Sequence, residues 1–115
     1  MTTALCSISD IQDPGSKAFQ LAHNSKIFDI FVIHKDGEFY AFINSCPHTG
    51  VNLEWLDDQF LDRDHTFIQC ATHNALFEID TGQCIHGPCT GEKLTPVKIE
   101  IIDNSLIINL DISFL

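Results

Sequence analysis

Cys46-Pro47-His48-Thr49-Gly50 and Cys70-Ala71-Thr72-His73 each set a thiol beside an imidazole, first as C-x-H and then as C-x-x-H. Two sulfur and two nitrogen donors make a metal centre. Tetrahedral Zn²⁺ accepts such a set, although its ligands more often arrive as C-x-x-C and H-x-x-x-H pairs. Mixed pairs, in which each loop delivers one donor of each kind, fit two adjacent irons better: one iron takes both sulfurs and the other both nitrogens. Neutral imidazoles in place of thiolates remove negative charge from one iron and make its reduced state easier to reach. One-electron transfer is therefore the chemistry to which Cys46, His48, Cys70 and His73 point.

The residues around these donors carry a resemblance. Cys46-Pro47-His48-Thr49-Gly50 is similar to the first ligand loop of the Rieske [2Fe-2S] family, and Cys70-Ala71-Thr72-His73 matches the second in spacing. Thr81-Gly82 and Gly87-Pro88 fall where that family has a turn and a proline-containing third loop over the cluster. The match covers about the middle third to half of the chain. It implies an all-β domain, an antiparallel β-sandwich base with a small inserted cluster-binding lobe, and one [2Fe-2S] cluster on Cys46, His48, Cys70 and His73. The expected layout is a single domain, with a base of 1–44 and 94–115 and a lobe of 45–93.

The resemblance further implies that His48 and His73 lie at the tip of the domain, where electrons enter and leave, while Cys46 and Cys70 face inward. Thr49, Leu53 and Gly87-Pro88 would pack around the cluster, with Gly50 in a tight turn. High-potential members supply two hydroxyls to the cluster sulfurs, from a serine two places and a tyrosine four places after the second ligand histidine. Here those places hold Ala75 and Phe77, so a low potential is expected. High-potential respiratory members also tie their two ligand loops with a disulfide, but Val51, Ala71 and Thr72 stand where its cysteines would be.

A chain of 115 residues is long enough for one domain with one main core. With 16 Asp and Glu against 6 Lys and Arg, the formal net charge is -10. That balance argues against nucleic acid as a partner, because binding phosphate needs a basic footprint. It suits solubility, and equally it suits steering toward a basic patch on a redox partner such as a flavin reductase, an oxygenase or a reductase subunit. Met1-Thr2-Thr3-Ala4-Leu5-Cys6 has no basic start or long apolar stretch, and no later segment is long enough to cross a bilayer. A cytoplasmic electron carrier with no membrane partner is expected. Its rivals are a small subunit resembling that of assimilatory nitrite reductase, and a zinc-binding interaction module without redox chemistry.

Strands dominate the outward reading. Lys26 to His34 and Glu38 to Asn44 are apolar runs joined by Lys35-Asp36-Gly37, a hairpin leading straight into the first ligand loop. Val97, Ile99 and Ile101 alternate with charge, Asp103-Asn104 turns, and Leu106 to Leu110 returns. His65 to Gln69 reads as a strand delivering Cys70, and Ala75 to Ile79 as one leaving His73 before the turn at Asp80-Thr81-Gly82. Val51 to Asp64 reads as a turn of helix or an irregular loop, with Trp55 and Phe60 as a hydrophobic lid or Trp55 as a docking anchor.

The remaining cysteines and histidines receive no ligand role. Cys6 reads as a small buried hydrophobe. Cys84 and Cys89 flank Gly87-Pro88, and a reducing cytosol favours two thiols over a disulfide. His23, His34, His65 and His86 lack a partner spacing. Asp57-Asp58 and Asp62 with Asp64 read as a solvated acidic face. The chain has neither the length nor the two-histidine, one-carboxylate set of an oxygenase catalytic subunit, so it is not expected to be an enzyme by itself.

Overall fold

The computed structural model describes residues 2–23, 25–47, 52–54, 56, 58–71, 74–88 and 90–109. In chain order the strands are β1 (Thr2–Ser7), β2 (Gly15–His23), β3 (Lys26–Lys35), β4 (Glu38–Ile43), β5 (Phe67–Gln69), β6 (Leu76–Glu78), β7 (Cys84–His86), β8 (Pro96–Ile102) and β9 (Ser105–Asn109). A short 3-10 turn at Ile8–Asp10 follows β1. The larger sheet runs β1-β9-β8-β4-β3-β2 and the smaller one β5-β6-β7. Every pairing is antiparallel. Among the described residues no helix is long and apolar enough to cross a membrane.

Turn chemistry sets both hairpins of the larger sheet. Asp36 and Gly37 take φ of 54° and 80°, and Asp103 and Asn104 take 51° and 64°. These left-handed pairs make two-residue loops whose twist matches the flanking strands, and Asp, Asn and Gly tolerate that conformation at least cost. Asp13 holds the first loop from outside, accepting the Asp36 N-H at 2.9 Å and the Gly37 N-H at 2.7 Å. Those bonds, the one from Gly37 foremost, keep its carboxyl below the ordinary carboxylate range.

Strand β3 explains the architecture. Ile30, Phe31, Val32 and Ile33 are all fully buried, so both faces of the strand are covered. Ile30 and Val32 share a core with Leu21, Ala41, Val97, Leu106 and Ile108. This core is enclosed because β8 changes partner partway along. Pro96 and Val97 pair with β4, whereas Lys98 to Ile102 pair with β9, which turns the sheet into an antiparallel sandwich. Pro96 sits at the first residue of its strand, where the missing N-H is tolerated.

The opposite face of β3 meets the smaller sheet. Ile68, Phe77 and Cys84 lie in register across β5, β6 and β7, and all three are buried. They join Phe31, Ile33, Phe42, Phe60 and Leu94 in the second core. Phe31 and Phe60 stack with ring centroids 4.3 Å apart. Gly82 makes this close packing possible. Its φ is +74°, and a Cβ there would lie 2.7 Å from the Phe42 ring, so glycine alone fits the turn.

The expected strands at His65 to Gln69 and Ala75 to Ile79 are shorter than the sequence suggests. His65, at φ 55°, still belongs to the turn, where the Asp62 carboxylate accepts the Thr66 and Phe67 N-H groups. The described part of Val51 to Asp64 is an irregular loop, not helix. It covers the edge of β2. The Asp58 carboxylate accepts the Ala18 N-H at 2.7 Å, while the Ser16 hydroxyl donates to the Asp58 carbonyl and accepts the Phe60 N-H. An edge strand otherwise exposes unpaired backbone groups. Asp58→Ala should cost about 1–2 kcal/mol by removing the acceptor for the Ala18 N-H. Asp58→Asn, which keeps an acceptor and suits the left-handed φ of 64° at this position, should cost less; urea midpoints at matched slopes measure both.

Candidate metal centre

Three loops converge beside the second core. The first leaves β4 through Asn44 and Ser45 to Cys46, which is 2% exposed. The second leaves β5 directly at Cys70, 0% exposed, and the Cys70 N-H donates to the Ala75 carbonyl at 2.9 Å to close the loop at its base. Both sulfur-bearing side chains belong to the same apolar core, with Leu53, Ala75 and Cys84. The third loop, after β7, contains Gly87 and Pro88 and is folded back by the Thr90 hydroxyl donating to the Gly87 carbonyl at 2.7 Å.

Direct contacts join the loops. The Ala71 N-H donates to the Leu53 carbonyl at 2.9 Å, linking the second loop to the end of the first. Gly87, at φ +108°, lies against Ala75: a Cβ on Gly87 would come within 3.0 Å of both the Cα and the Cβ of Ala75. The third loop thus approaches the second as closely as backbone permits, which is the physical reason for glycine at that place.

His48 and His73, with Thr49, Gly50, Val51 and Thr72, lie outside the described residues, as do Trp55 and Asp57. Cys89, expected with Cys84 as a pair of thiols, also lies outside them; the Cys84 thiol donates to the His86 carbonyl at 3.4 Å. Phe60 is fully buried, stacked on Phe31 in the same core as Cys46 and Cys70. Cys6 is half-buried against the first core, and burial, then the nearby Asp10 charge, pushes its thiol pKa up. His86 ends β7 exposed. His34 donates from Nδ1 to the Ile11 carbonyl at 2.9 Å and stacks on Phe39.

One residue of the site escaped the sequence reading. Asn44 ends the apolar run of β4 two residues before Cys46, and a polar amide closing such a strand was the available signal. Its side chain is buried and accepts the Leu53 N-H at 2.8 Å.

The chemistry of the described donors fits the sulfur side of a two-iron cluster. Two thiols sit in one water-poor core, each at the head of a loop, and the loops are bonded to each other.

Comparison with known proteins agrees with this geometry. The model of the Rieske [2Fe-2S] domain family matches residues 1–107. The biphenyl dioxygenase ferredoxin subunit of Pseudomonas sp. (strain KKS102) is 31% identical over 99 residues, covering 85% of this chain and 84% of that protein. Among solved structures, the ferredoxin of carbazole 1,9a-dioxygenase from Nocardioides aromaticivorans IC177 superposes with a TM-score of 0.76 at 15% identity, over 96% of this chain and 99% of that one. A complex of reduced oxygenase and oxidized ferredoxin in carbazole 1,9a-dioxygenase contains a chain that superposes with a TM-score of 0.74 at 20% identity, over 93% and 100%.

Proposed function

Because the chain belongs to the Rieske [2Fe-2S] domain family, we propose that it is a one-electron carrier passing electrons from a flavin reductase to an oxygenase or another terminal acceptor. The observation that carries this reading is the convergence of three loops, the first two hydrogen-bonded to each other and the third packed against the second, on two buried thiols, Cys46 and Cys70. Cys46 and Cys70 hold one iron, and His48 and His73 hold the other. When bound, the [2Fe-2S] cluster supplies reversible one-electron chemistry. The chain is then a single domain, with 45–93 as the cluster-binding lobe and 1–44 with 94–115 as the base. The position of β5, β6 and β7 between β4 and β8 in the chain supports that division.

Each part of the chain has a definite task. The apolar core around Cys46 and Cys70 keeps water from the sulfur side. His48 and His73 each retain one ring nitrogen that binds no iron and can hold or release a proton, which couples electron gain to proton uptake at alkaline pH. The acidic surface, at a formal net charge of -10, raises the encounter rate with a basic partner. The related protein is named a ferredoxin subunit of a dioxygenase, and a solved complex pairs such a ferredoxin with its oxygenase. Oxygenation is therefore the partner's reaction, not this chain's. A cytoplasmic location belongs to the same proposal, and fractionation of cells expressing the chain tests it.

Stopped-flow mixing is the direct functional test. Iron-loaded protein should be reduced by a dioxygenase-type flavin reductase with NADH and reoxidised by an oxygenase component, with rates that fall as salt rises. Holoprotein that exchanges electrons with neither component would overturn the carrier role.

A further inference from the structure

Asn44 is the one polar side chain among the described residues that is fully withdrawn from water, at 4% exposed. Its carboxamide is used at both ends. The Oδ1 atom accepts the Leu53 N-H at 2.8 Å, and the Nδ2 group donates to the two Glu54 carboxylate oxygens at 3.1 and 3.3 Å. A flipped amide would set N-H against N-H and oxygen against carboxylate, so only one orientation is acceptable. Leu53, itself fully buried, then accepts the Ala71 N-H through its carbonyl. The Asn44 N-H is fixed in turn by the Asp29 carbonyl of β3 at 2.8 Å.

This chain of bonds has a consequence for the ligand loops. Asn44 starts the first loop and Leu53 ends it, so one side chain closes the segment that contains Cys46. The Leu53 carbonyl then reaches the residue after Cys70. We propose that Asn44 is a positioning residue that fixes the spacing of the two ligand loops against rigid strand β3, and so governs how tightly and how uniformly the cluster is held. The inference rests on the reading of Cys46, His48, Cys70 and His73 as cluster ligands, and adds to it a residue that touches no iron. Asp29 directly precedes Ile30 to Ile33, the part of β3 buried on both faces, which makes a firm anchor for such a device.

Two variants and three readouts test it. Asn44→Leu removes both polar ends and leaves the Leu53 N-H buried without an acceptor. Asn44→Asp keeps the acceptor but sets a carboxylate against Glu54, and combining it with Glu54→Gln restores a donor in the reversed sense. Deuterium exchange of the peptides containing Leu53 and Ala71 should speed up about tenfold in Asn44→Leu, the effect of losing one buried hydrogen bond. Its cluster should be lost to a chelator about tenfold faster, with broader electron paramagnetic resonance lines from a wider spread of loop geometries. Asn44→Asp should show the same defects, and the double variant should recover wild-type exchange, cluster lifetime and line width. Wild-type cluster lifetime and line width in Asn44→Asp, despite faster exchange, would overturn the positioning role and leave the ligand reading intact. Wild-type protein that binds no iron under the same loading conditions would overturn the ligand reading, and this inference with it.

Discussion

Cys70→Ala yields a folded protein that holds no cluster. The side chain of Cys70 is fully buried in the core beside the second ligand loop. The backbone bond that closes this loop, from the Cys70 N-H to the Ala75 carbonyl, survives the substitution. Removing one sulfur leaves a small void, whose cost of about 1 kcal/mol is well within the stability of a domain of this size. Removing one of the two thiolates of an iron leaves that iron without a tetrahedral site. Bound iron, sulfide and visible absorbance should therefore vanish, while the far-ultraviolet circular dichroism of the strands persists. Cys46→Ala should behave alike. Cys6→Ala should keep its full iron content, because Cys6 packs against the other core. A Cys70→Ala protein with wild-type iron would refute the assignment.

Ala75→Ser and Phe77→Tyr should each raise the reduction potential. The two positions are buried in the same core as Cys46 and Cys70, and neither carries a hydroxyl. Reduction adds one negative charge, and a hydrogen bond to a charged group is worth about 1.5–3 kcal/mol. For a one-electron couple that corresponds to roughly 60–130 mV per hydroxyl, if its oxygen reaches a cluster sulfur. The wild-type protein should then lie near the bottom of the Rieske range of about -150 to +300 mV. Ala75→Ser carries the smaller structural cost. Phe77→Tyr buries a new polar group, and a tyrosine hydroxyl that found no acceptor would show instead as about 1–3 kcal/mol of lost stability. Voltammetry of the three proteins decides the matter. A wild-type midpoint above about +150 mV would contradict the reading of these two positions.

The parts of the molecule that could be read from sequence are those determined over a few residues. Asp36-Gly37 and Asp103-Asn104 announced two hairpins because left-handed loop pairs admit so few residue types. The runs at Cys46 and Cys70 announced the chemistry because thiol and imidazole at such spacing serve few other purposes. Features that depend on distant pairing were not legible. Strand β1 lies beside β9, at the far end of the chain, and β8 gives no local sign that it leaves β4 for β9 after Val97. Likewise, nothing in Asp58 or its neighbours shows that its carboxylate covers the edge of β2. Asn44 was hidden for the same reason: its partners Leu53 and Glu54 lie across a loop, and the tie to Ala71 is made through backbone. Gly87 reads from sequence as a turn glycine beside Pro88, but only the packed structure shows that Ala75 is what excludes a side chain there.

The most direct test of the central claim is the electron paramagnetic resonance spectrum of the dithionite-reduced wild-type protein, with iron and sulfide assayed on the same sample. Two nitrogen donors on one iron predict a [2Fe-2S] signal whose average g value falls below that of an all-thiolate cluster, from a coloured protein containing iron and sulfide in equal amounts. A colourless, silent protein that binds zinc, or a signal with the average g of a four-cysteine cluster, would contradict it.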